Sequence, residues 1–242
     1  MTKKKRKIIT LVVCPFVICF ILISIIFAFR VSGYYKTTVV HKTIEFNIEL
    51  AGVISEIQIE RDLGAFYISN PTETTEEKLI AQYHLTDQAI KYVSESRKWE
   101  LLTAPQPYLQ TADGLLRHIN VHRYEADTKK STQQRELTFY IDLIAVIVKW
   151  FTETVSEDST GSVWKLIVSL NEVVSSKEML GVERAYGSLY FLNGGFDSMI
   201  DYITFTVAQD VANSTMFVSI SYADVGPTFF LLIFLLFKWK YQ

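Results

Sequence analysis

Two arginines carry the most chemistry in this sequence. Arg61 lies in Glu60-Arg61-Asp62-Leu63-Gly64-Ala65-Phe66-Tyr67, and the pattern returns as Glu183-Arg184-Ala185-Tyr186-Gly187-Ser188-Leu189-Tyr190. Glu, Arg, Gly and Tyr recur in register, with Ala65/Ser188 and Phe66/Leu189 conservatively matched. In both copies the arginine is expected on the apolar face of a helix, where a permanent positive charge is costly unless an anion meets it. Two arrangements answer that cost. One is a pair of interhelical salt bridges using Glu183, Glu178, Glu60 or Glu56. The other is a single negative guest held between the two guanidiniums. Glu60 and Glu183 adjoin the arginines in sequence, so on a helix they point about 100° away and need not neutralise them.

Gly64 and Gly187 fall three residues after the arginines and are expected on the same face. A glycine inside a helix costs about 1 kcal/mol against alanine, and close approach of a partner is a common reason for one. Tyr67 and Tyr190 are placed to bring a hydroxyl near the gap so formed. Elsewhere, His118 and His122 have the i, i+4 spacing of a metal pair. Ile119-Asn120-Val121 between them lacks the glutamate of a zinc-protease helix, so a surface pair is expected. No glycine-rich phosphate loop, nucleophile elbow or Cys/His nucleophile arrangement is present, which leaves an enzyme reading without support and implies no cofactor. The formal net charge of -2 argues against a nucleic-acid partner.

The elements that must position these residues are helical. Leu50, Val53, Ile54, Ile57, Arg61, Gly64 and Ile68 recur at 3–4 spacing and predict a helix over 49–68, ended by Asn70-Pro71. A second helix is predicted from Thr74 or Thr75, with Glu76 and Glu77 in its first turn, to about Glu100. A third is expected to be capped by Asp113, and a fourth opens at Ser131 with Gln134 in capping-box form. The helix holding the second motif is predicted from Ser162 to Asn193-Gly194-Gly195, and a last one, capped by Asp197, to about Ile220. The fold class is all-α, a helical bundle.

The flanks indicate a membrane. Lys3, Lys4, Lys5, Arg6 and Lys7 precede an apolar run from Ile8 to Phe29, which as a helix at 1.5 Å per residue spans about 33 Å. The run is longer than a signal-peptide core of ~7–15 residues and has no good cleavage site, so 8–29 reads as an uncleaved anchor rather than a cleaved leader. The basic tail 1–7 then stays cytoplasmic and 31–226 is exported. Cys14 and Cys19 both lie inside the anchor, leaving the exported part to hold itself by burial. The apolar segment 228–237 is open to two readings: a short or truncated second span, or a tail packing on the first.

Several local patterns together resemble the nitrate- and nitrite-sensing (NIT) domain of membrane receptors and bacterial regulators. Lys177-Glu178-Met179-Leu180-Gly181-Val182-Glu183-Arg184-Ala185 is similar to that family's K-E-x-x-G-x-E-R-A signature. Ile57-Gln58-Ile59-Glu60-Arg61 resembles its first-helix L-Q-x-E-R, Tyr140-Ile141-Asp142-Leu143-Ile144 its tyrosine-led fourth helix, and Gly195-Phe196 with Gln209-Asp210 its last segment. One departure stands out: after the first Glu-Arg the family usually has Gly-Leu-Ser, where this chain has Asp62-Leu63-Gly64. The resemblance implies an exported bundle of two packed antiparallel four-helix-like halves on the anchor helix. It makes Arg61 and Arg184 the anion-binding residues, supported by Glu60, Gly64, Tyr67, Lys177, Gly181, Glu183, Gly187 and Tyr190. It further implies nitrate or nitrite as ligand and a cell-surface receptor. A homodimer and an effector in trans, such as a guanylyl cyclase, histidine kinase or chemoreceptor module, complete the expectation.

Overall fold

A computed structural model describes the backbone of residues 3–95, 99, 104–127, 131–156 and 162–222, and side chains of 23–30, 32, 42, 45–94, 99, 104–126, 131–150, 165 and 168–222. Among them there are six α-helices, one 3-10 turn and no strand: α1 (Lys3–Ser69), α2 (Glu73–Glu95), the turn Pro107–Leu109, α3 (Ala112–Asp127), α4 (Gln133–Ser156), α5 (Ser162–Asn193) and α6 (Met199–Tyr222). The chain divides into two compact units, Met1–Lys42 and Thr43–Gln242.

In the first unit the described apolar side chains Ile23, Ile25, Ile26, Phe27 and Phe29 are all exposed. Among the described residues no helix is long and apolar enough to cross a membrane. The side chains of residues 8–22 of the expected anchor, and the whole segment 228–237, lie outside the described residues.

In the second unit the helices begin at hydroxyl caps. The Thr72 hydroxyl accepts from Thr75 N at 3.3 Å, Thr111 from Gly114 N at 3.0 Å, Thr132 from Arg135 N at 3.2 Å and Ser198 from Asp201 N at 3.2 Å. Each satisfies an orphan donor of the first turn, a contribution of about 1 kcal/mol. The caps expected at Asp113, Ser131 and Asp197 are thus displaced by a residue or two. The reason is that a cap is chosen by which side chain reaches back to the third helical amide. At the other ends, Asn70 before Pro71 closes α1, with Asn70 N donating to Phe66 O at 2.9 Å. Gly194 follows α5 at φ 75, a left-handed turn that favours glycine.

Two apolar cores form. The larger joins α1, α2, α3, α4 and the early part of α5 around Leu50, Ile54, Ile57, Ile90, Leu115, Ile119, Ile144 and Ile147. At one end Phe46, Trp99 and Trp150 meet edge to face at centroid distances of 6.1, 5.6 and 5.5 Å. The smaller core joins α1, α4, α5 and α6 through Ala65, Leu137, Val182, Ala185, Tyr186 and Ala208. The two cores share α1, α4 and α5. Small residues let α5 and α6 pack closely and antiparallel. Ser169 and Ser219 donate to each other's carbonyls at 3.0 and 2.9 Å, and Ser176 donates to Ala212 O at 2.8 Å.

Candidate functional site

The helices bearing the two motif copies lie side by side. Lys177 Nζ donates to Ser55 Oγ, Gln58 Nε2 to Glu178 Oε2, Arg61 NH1 to Glu178 Oε1 at 2.8 Å, and Arg184 Nε to Asp62 Oδ2 at 2.9 Å. Partner numbers rise together along both helices, so α1 and α5 run parallel here. Parallel packing of two copies of one motif brings like positions to the same height, which explains how a local repeat becomes one site.

Arg61 is fully buried. Its Nε donates to Asp62 Oδ1 at 3.1 Å and its NH1 to Glu178, whereas its buried NH2 has no hydrogen-bond partner. That NH2 faces Gly181, where a Cβ would come within 2.7 Å of it. Arg184 is different: its side chain is 56% exposed, and its Nε and NH2 both meet Asp62 Oδ2, at 2.9 and 2.5 Å. One carboxylate, Asp62, thus receives both motif arginines, Arg61 on one oxygen and Arg184 on the other. Three cations (Arg61, Arg184, Lys177) and three carboxylates (Asp62, Glu178 and, acting on Lys177, Glu56) make up the cluster.

Burial acts on Arg61, Glu178 and Lys177. It works against the Arg61 guanidinium, but the charges of Glu178 and Asp62 outweigh it and raise the pKa. Burial lifts the Glu178 carboxyl above its ordinary value, with Arg61 and Gln58 opposing the rise. Lys177 falls to about 8, first by burial and then by the nearby charge of Arg184, against which Glu56 and Glu178 act.

The other sequence-derived residues are distributed more widely. Glu60 is buried and engaged elsewhere: Arg123 Nε and NH2 donate to its two oxygens at 2.8 and 2.7 Å, and Tyr140 OH donates to Oε1 at 2.6 Å. Arg123 also donates to Asp87 Oδ1 at 2.7 Å and lies 4.4 Å over the Tyr83 ring. Glu183 accepts from Gln209 Nε2 at 3.1 Å. At Gly64 the close neighbour is the Glu136 side chain, and at Gly187 it is the Phe205 ring. The glycine that touches a motif guanidinium is Gly181. Tyr67 is half-buried, and Tyr190, 41% exposed, packs against Phe191 and Phe196 at 5.6 and 4.8 Å.

Three expectations are corrected. Arg184 does not lie on the apolar face of α5, because α6 covers the face carrying Val182, Ala185 and Tyr186 and leaves Arg184 outside it. Of the four acids expected to answer the arginines, Glu178 does meet Arg61, whereas Glu60, Glu183 and Glu56 are engaged elsewhere and Asp62, outside that set, meets both arginines. His122 is buried, stacked on Phe139 at 3.7 Å and bonded to Glu136 Oε2 at 2.8 Å. His118 stacks on Tyr108 at 4.1 Å. Among the described residues no group of His, Cys, Asp and Glu is arranged to hold a metal ion.

Comparison with known proteins bears on this cluster. A family model described as nitrate and nitrite sensing (NIT) matches residues 52–225, which include both motif copies. No curated protein and no solved structure gives a significant match.

Proposed function

This chain belongs to the nitrate- and nitrite-sensing family, and we propose that it senses a small planar anion, nitrate or nitrite, between Arg61 and Arg184. The observation that carries this reading is the convergence of the two signature arginines on one carboxylate. A carboxylate is itself a planar oxyanion, and a guanidinium fork suits nitrate for the same geometric reason. The unpartnered Arg61 NH2 supports it, since a buried donor without an acceptor costs about 1–3 kcal/mol and is satisfied by an incoming anion. Lys177 adds positive charge beside Arg184, and Gly181 lets the Arg61 guanidinium lie close against α5. Glu60, Gly64, Tyr67, Glu183, Gly187 and Tyr190 support the site indirectly, by fixing the helices that carry it.

An anion held by both arginines ties α1 to α5, and α5 is locked to α6 by reciprocal serine bonds. Signalling is then a population shift toward the arrangement that keeps both arginines on the anion, passed along α6 toward the membrane. The basic tail, the apolar run 8–29 and the exposed Ile23–Phe29 side chains support a membrane anchor with 31–226 outside the cell, and the apolar sequence of 228–237 suits a short second membrane segment. Exposed Ile200, Ile203, Val207 and Val211 follow one stripe of α6 and suit a homodimer, with an effector acting in trans.

The test is thermal unfolding of the full chain in detergent with nitrate, nitrite, chloride and sulfate. Nitrate or nitrite at 100 times Kd is expected to add about 2.7 kcal/mol of stability. Arg184→Ala, an exposed position, is expected to keep the fold and lose the effect. If the arginines only clamp α1 to α5, no anion raises Tm, or the rise survives in Arg184→Ala; either outcome removes this reading.

A further inference from the structure

The identity of the acid between the arginines has a functional consequence. Resting on the anion-sensing reading above, we infer that Asp62 is a tethered competitor of the ligand, occupying the anion's own position and setting the concentration at which the sensor responds. The geometry is specific. Asp62 Oδ1 takes Arg61 Nε and Oδ2 takes Arg184 Nε and NH2, so the carboxylate spans both guanidiniums as a bound planar anion would. It comes from the residue next to Arg61 and brings only two oxygens. A fourth donor nitrogen, Arg61 NH2, is left without an acceptor. A trigonal anion such as nitrate supplies a third oxygen in the same plane. It therefore competes with Asp62 for the bonds already made and adds one that Asp62 does not make.

Displacement needs a way out for the carboxylate. The Asp62 side chain keeps 21% exposure, so rotation about χ1 carries it toward solvent while α1 stays in place. Glu178, which is nearly fully buried and held by Gln58 as well as Arg61, has no such route. It remains as the fixed counter-charge of Arg61 in either arrangement. The apparent Kd is the intrinsic Kd divided by the fraction of molecules with Asp62 turned out. For a minor state populated to about 1–10%, Asp62 weakens nitrate binding about 10–100-fold. The same residue pairs with both guanidiniums while the site is empty, so removing the carboxylate lowers stability without anion and sharpens the dependence on it.

Calorimetric titration of the full chain in detergent with sodium nitrate, paired with thermal unfolding, separates the outcomes. Asp62→Ala and Asp62→Ser empty the position, whereas Asp62→Asn removes the charge and still fills the space. The expected result is nitrate binding about 10–100-fold tighter in the emptied variants, with a smaller gain in Asp62→Asn. Formate, a free carboxylate, is expected to raise Tm of the emptied variants and leave the wild type unchanged. Equal nitrate affinity in wild type and the emptied variants overturns the competitor. So do equal gains in Asp62→Ala and Asp62→Asn, which would show Asp62 acting through its field and not by occupancy. Nitrate binding in none of the proteins overturns the anion-sensing reading itself. If either emptied variant does not fold, the other against Asp62→Asn decides.

Discussion

Gly181→Ala and Gly52→Ala are the same chemical change in two helices of this protein, and the structure assigns them opposite signs. Gly52 lies on an exposed part of α1 with nothing within 4 Å of a built Cβ. Alanine there gains helix propensity, up to about 1 kcal/mol, which for a domain of this size raises Tm by about 2–4 °C. At Gly181 the new methyl would lie 2.7 Å from Arg61 NH2. An arginine tip ordinarily moves aside, but this one is buried and pinned by Asp62 at 3.1 Å and Glu178 at 2.8 Å. Overpacking against a fixed neighbour costs about 1–3 kcal/mol. Pulling the guanidinium off one carboxylate forfeits part of a charge-assisted hydrogen bond worth about 1.5–3 kcal/mol. Set against the propensity gain, the net loss is about 2 kcal/mol, a fall in Tm of about 4–8 °C. Thermal unfolding of the two single variants measures the contrast. In an Arg61→Gln background the clash is gone, and Gly181→Ala is expected to behave like Gly52→Ala. A rise in Tm for Gly181→Ala in the otherwise wild-type chain would refute the placement of Arg61 against α5.

The buried network around Arg123 predicts a large single effect. Arg123→Met leaves the Glu60 carboxylate buried and opposed only by Tyr140, and is expected to lower the urea-unfolding free energy by about 3–5 kcal/mol, while the paired Arg123→Met/Glu60→Leu variant recovers much of it. Lys177 predicts a pH dependence. Its folded pKa of about 8 lies below the ordinary 10.5, so between those values the unfolded chain binds more protons and this group's contribution to stability rises with pH. Below about 8 the charged amine carries its burial penalty. Urea midpoints from pH 7 to 10.5 are expected to show that slope in wild type and to lose it in Lys177→Met. Nitrate affinity, favoured by the charged amine, is expected to fall as pH rises through about 8.

The helices were legible because the information that makes them is local. Asn70-Pro71 and Asn193-Gly194 mark ends by backbone restrictions that act within a residue or two. The caps were less legible, since Thr111 and Asp113 offer similar side chains and only backbone geometry at the turn selects between them. The site was legible in part. The repeated Glu-Arg-x-x-Gly-x-x-Tyr singled out both arginines, and the two copies do meet in space. Periodicity put both arginines on an apolar face, but a helix carries no record of which neighbour will cover it, and α6 leaves Arg184 exposed. Asp62 stood out only as a departure from the family pattern, and nothing in its own neighbourhood foretold its contact with Arg184.

What the sequence by itself determined is the all-α class, most of the helix boundaries, the family, and the two arginines as the chemistry worth explaining. These follow from 3.6-residue periodicity, from caps and breakers, and from a motif written twice, all of which act over a few residues. What only the tertiary structure decided is how those charges are spent: Glu60 on Arg123, Glu178 on Arg61, and Asp62 on both motif arginines at once. Asp62 and Arg184 are far apart in the chain, and their meeting depends on how α1 and α5 are rotated and set in register. Packing of the whole bundle fixes that rotation, with Ala65, Leu137, Val182 and Ala185 buried in one close-packed core.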